Sequence, residues 1–341
     1  MKALLLKGIF NLNENFNPLV LSEAADPVPS ENEILIKVLA CGVCHTEIDE
    51  IEGRTPPPVY PVIPGHQVVG KVVAKGNNAR KFNIGDRIGV GWIFSSCGKC
   101  EFCLEGNDNL CADFKATGRD VNGGYAELMT VPENSAHLIP EIFSDSEAAP
   151  LLCAGAIGYR SVKLALLKNK QNLGLTGFGA SAHIVLKMVK HKYPETKIFV
   201  FARSEKEREF AKQLGAEWMG DTSDECPEKL NSIIDTTPVW TPVIKGLRNL
   251  KPGGRLVINA IRKEDIDKSC LINIDYATYL WMEKEIKSVA NVSASDIREF
   301  LELAAEIPLK PEYQEYKLEN ANIALMELKQ RKIRGAKVLK I

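Results

Sequence analysis

The sequence has no run of 18 consecutive apolar residues, so no segment would cross a bilayer as a helix. It also lacks an excess of either charge. Forty-three Lys and Arg stand against 44 Asp and Glu, a formal net charge of -1. Proteins that hold nucleic acid or an anionic membrane surface usually carry a basic surplus, so we expect neither partner. Internal repeats and low-complexity linkers are missing too. Histidine is scarce, five in all, so a histidine near a cysteine carries weight. The nine cysteines are an odd number, which in a chain of this size argues against a disulfide scaffold. The first residues, Met1-Lys2-Ala3-Leu4-Leu5-Leu6-Lys7-Gly8, start like a signal peptide. They turn polar by Asn11 with no cleavage-like site, and they read as a first strand. Clustered thiols and no leader point to the reducing cytoplasm.

What is present is globular. The chain has 341 residues, 45% apolar and 26% charged. That corresponds to roughly two domains at about 150 residues each. Residues 1–150 carry short strand-like stretches at 33–39, 68–73 and 82–90, broken by Gly, Pro and Asn, and resemble barrel material. Near Pro150 the pattern changes. A helix-compatible run over 151–168 is followed by alternating strands and helices. The strands fall at 172–176, 197–202, 232–235 and 254–259. Helices follow the first glycine-rich turn and occupy 204–214, the latter stopped by Gly215. Lys251-Pro252-Gly253-Gly254 reads as the turn entering the last of these strands. Such alternation predicts a parallel, doubly wound sheet. A helix over 295–306, a strand over 313–318, a helix over 321–330 and a strand over 337–339 close the chain, and this tail is expected to return to the first domain. The boundaries we expect are 1–153, completed by 291–341, and 154–290.

Cys97, Cys100, Cys103 and Cys111 lie within one short loop rich in Gly and Asn. Four thiolates suit tetrahedral zinc, with Zn–S of about 2.3 Å. An iron–sulfur cluster also takes four cysteines, but the long last gap and the Ala112 that follows depart from ferredoxin spacing. Four protein ligands leave no position for water, so this site should brace a lobe and do no chemistry.

A second, dispersed set of residues has a different character. Cys41-Gly42-Val43-Cys44-His45-Thr46-Glu47 follows a strand. Pro64-Gly65-His66-Gln67 precedes another, and Cys153 stands at the domain seam. Two thiolates and one imidazole leave a fourth position for water or a substrate oxygen. Cys41 and Cys44 compete for one ligand role, and composition does not choose between them. Thr46 could take the hydroxyl proton of an alcohol, or serve only as a turn hydroxyl.

Gly177-Phe178-Gly179-Ala180-Ser181-Ala182 fits GxGxxA between a strand and a helix. Gly177 allows the tight turn, Gly179 lets backbone approach a pyrophosphate, and Ala182 permits close helix–sheet packing. The amides and the helix start would receive the phosphates. A tight turn without cofactor is the plain alternative. The next strand ends at Ala202-Arg203-Ser204, with no acidic residue to grip ribose hydroxyls. A small residue followed by Arg and Ser suits a 2′-phosphate and favours NADP(H) over NAD(H). Arg203 could equally be a solvated charge at a helix start.

With these residues in hand, the chain resembles the zinc-dependent alcohol dehydrogenases of the medium-chain dehydrogenase/reductase superfamily. The likeness runs nearly end to end. It is carried by Gly42-Val43-Cys44-His45-Thr46, Gly65-His66, Gly85-Asp86-Arg87, the four-cysteine lobe and Gly123-Gly124-Tyr125-Ala126-Glu127. It continues through Ala149-Pro150-Leu151-Leu152-Cys153-Ala154-Gly155, the glycine loop and Lys332-Ile333-Arg334-Gly335. The resemblance implies a GroES-like β-barrel catalytic domain and a Rossmann cofactor domain with the active cleft between them. It implies two zinc ions per chain. Cys44, His66 and Cys153 would hold the catalytic zinc, and Cys97, Cys100, Cys103 and Cys111 the structural zinc. Thr46 would start a proton relay through Asp49, His45 would lie near the cofactor pyrophosphate, and Trp92 would line a pocket for small or planar substrates. The activity implied is hydride transfer between NADP(H), with NAD(H) as the alternative, and a small primary or aromatic alcohol or aldehyde. A homodimer or homotetramer is implied, formed through edge strands of the cofactor domain, to which the 255–260 strand would contribute. Polyol or sugar dehydrogenases of the same superfamily and a non-catalytic NADPH-binding protein are the rival readings.

Three departures from the family pattern carry expectations. Gln67 stands where relatives have Glu after the zinc histidine, so a carboxylate near the metal should be lost. Asp49 stands where the relay residue is often histidine. The basic group near the closing Arg-Gly is shifted, because Ala336 precedes Lys337.

Overall fold

A computed structural model describes residues 1–330 and 335–341. Two compact units divide the chain, Met1–Ala156 with Val292–Ile341, and Ile157–Asn291.

In the first unit the N-terminal apolar run is a strand, Lys2–Leu6, paired antiparallel with Leu19–Glu23. The spine is the strand Glu33–Val43. Ile34, Ile36, Val38 and Ala40 on one face are buried, and Lys37 between them is exposed. This is the two-residue period of a half-buried strand. It pairs antiparallel with Val68–Lys75, Leu128–Pro132 and Ala336–Lys340. Register shifts at Leu35/Ile36 and Val38/Ala40 interrupt the first pairing, as bulges that bend a sheet do. The expected barrel material forms a mixed sheet of seven strands, antiparallel except where Tyr313–Lys317 meets Ala336–Lys340. The 82–90 stretch is strand only over Arg87–Val90. Before it, Asp86 accepts the Asn83 N–H in a turn, and Gly85 takes φ +99°.

The register of two strands prepares the site. Cys41 stands opposite Val68, and the Gly42 N–H donates to the Gln67 carbonyl at 2.9 Å. The end of one strand, followed by Cys44, therefore lies beside the start of the other, preceded by His66. Cys44 then caps the helix His45–Ile51. Further on, Ser144 caps Asp145–Pro150. Its hydroxyl accepts the Glu147 N–H at 3.2 Å, and its own N–H donates to the Glu147 carboxylate at 2.8 Å. This reciprocal pair starts the helix six residues before the expected 151. The segment Leu151–Gly155 widens into a π-helical turn before Ala156–Leu164 resumes the α-helix. Pro150 contributes no N–H to the turn it enters. At Gly155 the Phe300 ring fills the place of a side chain, since a Cβ would come within 2.3 Å of it.

The second unit is a six-stranded sheet, parallel throughout. Its order is Trp218–Gly220, Lys197–Phe201, Asn172–Thr176, Leu230–Asp235, Leu250–Ile258, Glu285–Ser288. This is the 3-2-1-4-5-6 order of the doubly wound fold, and the order reverses between the strands ending at Thr176 and Asp235. Lys251 to Gly254 loop out between two ladder pairs, Leu230 with Leu250 and Ser232 with Arg255. The predicted turn is thus a bulge inside a strand. The 255–260 stretch is not an edge, because Leu250–Ile258 is paired on both sides. The two edges are Trp218–Gly220 and Glu285–Ser288, and all four residues of the latter are exposed. Among the described residues no helix is long and apolar enough to cross a membrane.

Candidate functional site

Cys44, His66 and Cys153 converge in the first unit, with one donor atom from each within 4.8 Å of the others. His66 Nε2 lies 3.3 Å from Cys153 Sγ. Tetrahedral zinc with ordinary Zn–S and Zn–N bonds would set these two atoms about 3.5 Å apart, so the donor set fits the ion. His66 is buried, and its Nδ1 lies 2.5 Å from the Glu47 carboxylate, which is itself fully buried. The same carboxylate accepts the Cys44 backbone N–H at 2.8 Å. A carboxylate on Nδ1 fixes the proton there and leaves the Nε2 lone pair facing the thiols. Burial alone would lower the His66 pKa. The Glu47 carboxylate and Cys44 outweigh it and hold the value well above the ordinary range. Cys44 is pulled well below the usual thiol range by its hydrogen bond with Cys153, and Cys153 is pushed up by the same bond and by burial. A cation held among these donors would take both sulfurs as thiolates.

Cys41 is not part of this set. It is buried in the hydrophobic core, where its sulfur packs against Gly65 and Gly124. The expected loss of a carboxylate at Gln67 is corrected by Glu47. That acid reaches the histidine from the third position of the helix that Cys44 caps. Sequence reasoning passed over Glu47, although its spacing from the cap is that of a capping-box acid.

Cys97, Cys100, Cys103 and Cys111 also lie with their sulfurs within 4.8 Å of one another. Cys97 and Cys103 are 3.9 Å apart, against about 3.8 Å for the edge of a ZnS₄ tetrahedron. Backbone N–H groups of Cys97 and Cys100 point at sulfurs, each at 3.4 Å. The backbone amides of Lys99 and Cys100 lower Cys97 to about 6. Two distinct zinc-binding sites are thus present.

In the second unit Gly177 takes φ +78°, and a Cβ there would strike the Thr236 hydroxyl at 2.8 Å. Gly179 opens the helix Ala180–Lys192, with nothing within 4 Å of where its Cβ would stand. This clear space beside helix-starting amides suits a pyrophosphate. Phe178 and Ala182 are buried, and Ser181 accepts from Asn259 Nδ2 at 3.3 Å. At the end of Lys197–Phe201, Ala202 is buried and Arg203 and Ser204 are exposed. Arg208, not anticipated from the sequence, folds back to donate to the carbonyls of Ala202 at 2.7 Å and Arg203 at 3.0 Å.

Thr46 is buried, with Oγ1 3.5 Å from Cys44 Sγ, and His45 beside it is exposed. Asp49 is buried and paired with Arg54 at 2.5 Å. Trp92 is buried, with the Phe114 ring tilted against it at 5.2 Å and the Arg119 guanidinium over it at 5.2 Å. Lys337 turns into the interior of its own unit, onto Glu327 and Tyr316, each at 2.5 Å. Lys332, Ile333 and Arg334 lie outside the described residues.

Two zinc sites and a doubly wound cofactor sheet define a zinc-binding oxidoreductase of the NAD(P)-dependent kind. Comparison with known proteins narrows that class. The family model "Alcohol dehydrogenase GroES-like domain" matches residues 30–141. "Probable alcohol dehydrogenase AdhA" of Mycobacterium tuberculosis (strain CDC 1551 / Oshkosh) is 41% identical over 320 residues, covering 92% of this chain and 90% of that protein. An "Alcohol dehydrogenase" of Geobacillus stearothermophilus is 32% identical over 335 residues, covering 95% and 96%. Among solved structures, the cinnamyl alcohol dehydrogenase SbCAD4 of Sorghum bicolor superposes with a TM-score of 0.83. It is 26% identical and covers 99% of this chain and 97% of that one. The chain belongs to the zinc-dependent alcohol dehydrogenase family of the medium-chain dehydrogenase/reductase superfamily. It is an enzyme of that family, acting on small alcohols or aldehydes with a nicotinamide cofactor.

Proposed function

We propose that this enzyme interconverts small primary or aromatic alcohols and their aldehydes, with NADP(H) preferred over NAD(H). In this reading residues 1–153, completed by 291–341, are the catalytic domain, and residues 154–290 bind the cofactor. The observation that carries it is the Cys44, His66 and Cys153 donor set with Glu47 locked on the far nitrogen of the imidazole. When bound, zinc supplies an electrophile for the substrate oxygen, and the nicotinamide supplies or accepts the hydride.

The residues do the remaining work. Glu47 holds His66 in the ligating tautomer. Thr46 accepts the substrate hydroxyl proton at Oγ1, and Asp49 hands it on. Trp92 forms an apolar wall. Cys97, Cys100, Cys103 and Cys111 brace their lobe. The amides of Gly177, Phe178, Gly179, Ala180 and Ser181, with His45, take the pyrophosphate. Ala202 leaves room for the adenosine ribose, and Arg203, Ser204 and Arg208 receive the 2′-phosphate. The cation at Arg203 and the missing acid at Ala202 support this preference. We further propose a cytoplasmic homodimer or homotetramer, using the exposed edge Glu285–Ser288.

The test is reduced-nicotinamide absorbance with zinc-analysed protein, a panel of primary alcohols, benzyl alcohol and their aldehydes, and both cofactors. Turnover favouring NADP(H) is expected. Turnover favouring NAD(H) would keep the chemistry and overturn the 2′-phosphate assignment.

A further inference from the structure

In the second unit one loop is fastened by another. Residues 236–240 carry the chain from the strand Leu230–Asp235 to the helix Thr241–Asn249, and residues 259–267 leave the neighbouring strand Leu250–Ile258. The Lys263 side chain is only 6% exposed. Its ammonium donates to the Asp235 carboxylate and to the carbonyls of Thr237 at 2.7 Å and Val239 at 3.0 Å. An ammonium has three donors, and all three are used on this strand end and the loop after it. Two further ties run from the same segment. The Glu264 N–H donates to the Pro238 carbonyl at 2.6 Å, and the Asp267 carboxylate accepts the Trp240 and Thr241 N–H groups at 3.0 and 2.6 Å. The loop thus takes its shape from a cation at its centre and an anion at its far end.

The central tie is a buried ion pair, since Asp235 is fully buried. Taking two ions out of water is costly, and such a pair often stabilises a fold no better than apolar residues of the same size. Stability gives little reason for it, and its place in the fold gives another. The strand order reverses between Thr176 and Asp235. The loops after these two strands flank the crevice where a doubly wound sheet receives a dinucleotide. The clamped loop touches the glycine turn directly. Thr236 donates through its N–H and its Oγ1 to the Thr176 carbonyl, at 2.9 and 3.0 Å. A Cβ on Gly177 would lie 2.8 Å from Thr236 Oγ1 and 3.2 Å from Thr237 Cγ2. The Thr237 hydroxyl donates to Asp235 at 2.8 Å, so the ion pair and the wall against Gly177 share a residue. From the fastening segment, the Asn259 N–H donates to the Asp235 carbonyl at 2.7 Å, and the Asn259 amide donates to Ser181 of the glycine loop at 3.3 Å.

We propose that Lys263 and Asp235 are positioning residues for the cofactor: the buried pair holds residues 236–240 ready, before binding, as the wall that receives the nicotinamide half of the dinucleotide. Each half of a doubly wound sheet takes one mononucleotide. Arg203, Ser204 and Arg208 follow Lys197–Phe201 in one half, and the ion pair stands on the first strand of the other. A loop already set spares binding the loss of loop freedom. The inference rests on the reading that the glycine turn takes the pyrophosphate with the adenosine ribose beside Arg203.

Calorimetric titration of the two-zinc enzyme with NADPH, NADH, 2′,5′-ADP and ADP tests it, because the last two carry the adenosine half alone. Lys263→Met should weaken the preferred reduced cofactor about tenfold or more, since binding must then order the loop. The matching adenosine fragment should weaken by less than about threefold, as expected of a distant site. Lys263→Arg keeps the charge and should recover part of the loss. Lys263→Met strands a buried carboxylate, so Asp235→Asn combined with Lys263→Met removes both charges together and carries the test if the single variant does not fold. A dissociation constant fitted with its own stoichiometry does not move with the folded fraction. Hydrogen exchange gives a second readout. Peptides covering 236–241 should exchange slowly in the parent with or without cofactor, and quickly in the variants until the reduced cofactor is bound. Cofactor affinity within about twofold of the parent in the folded variants overturns the proposal. So does an equal loss for cofactor and adenosine fragment, or exchange over 236–241 that matches the parent, and each of these leaves the cofactor reading intact. A parent enzyme that binds neither NADPH nor NADH overturns that reading, and this inference with it.

Discussion

The two zinc sites are built on opposite plans. Cys97, Cys100, Cys103 and Cys111 come from one loop, three of them only partly buried, and their sulfurs take hydrogen bonds from the loop's own backbone. Cys44, His66 and Cys153 come from a strand end, a strand start and a helical turn, and the imidazole among them is held by the buried carboxylate of Glu47. The loop site asks little of the fold, and the dispersed site needs all of it. A metal whose four positions are all filled by protein can only brace. A metal with three protein donors keeps a position for substrate.

The sharpest way to separate them is to remove one ligand from each. Cys153→Ala should lower kcat/KM at least about a thousandfold, because several kcal/mol of charge stabilisation depend on the ion and each 1.36 kcal/mol is tenfold. Zinc analysis should fall from two ions to one, with a small change in melting temperature. Cys100→Ser should do the reverse. Structural zinc contributes directly to folding free energy. A drop in Tm of about 5–10 °C is expected, at about 2–4 °C per kcal/mol for a unit of this size, with turnover of the folded enzyme within about threefold. If Cys100→Ser abolished turnover in folded protein, the contrast between the sites would be wrong.

Glu47→Gln probes the carboxylate that only the dispersed site has. A loss of about 10–100-fold in zinc affinity or activity is expected, read by chelator competition. The loop site should hold its ion unchanged.

Acid gives the mildest probe. His137 lies in a strand of the sheet whose other strands lead to Cys44 and His66. Burial, and then the nearby Lys81 and Arg298, lower its pKa to about 3. The unfolded chain would bind a proton there below about pH 6.5, and the folded chain would not. The stability this neutral histidine contributes is present above about pH 6.5 and is lost as pH falls toward 3, by at most about 1.4 kcal/mol per pH unit. Urea melts at pH 7 and pH 5 should show the loss, and His137→Phe should flatten it.

The same contrast explains what could be read before the fold was known. The loop site was fully legible, because its geometry is written in local spacing. The residue types of the dispersed site were legible, but the choice of Cys44 over Cys41 came from resemblance. The structure gives the physical reason, since Cys41 faces the core from within its strand and Cys44 stands one residue past the strand's end, at a helix cap. Glu47 escaped notice because its role depends on which turn of helix faces His66, and the cap that sets this was not recognised. Arg208 escaped because a long side chain folding back over a strand end leaves no pattern in spacing. The edge strand Glu285–Ser288 was invisible because all four of its residues are exposed, so it shows no buried face for periodicity to report. Lys337 was noted as a shifted cation. Its strand is buried on both faces from Ala336 to Leu339, so the ammonium is taken up inside the unit by Glu327 and Tyr316.

The π-helical turn at Leu151–Gly155 has a consequence for how this enzyme can vary. Each residue of an α-helix advances the chain by about 100° around its axis. A wider turn holds one extra residue, so the direction of the Cys153 thiol is set by a count as much as by its neighbours. Deleting one residue between Ser144 and Cys153 would keep all three ligand residues and still aim the sulfur away from His66. A change of length in this segment is therefore expected to cost more activity than a conservative substitution within it.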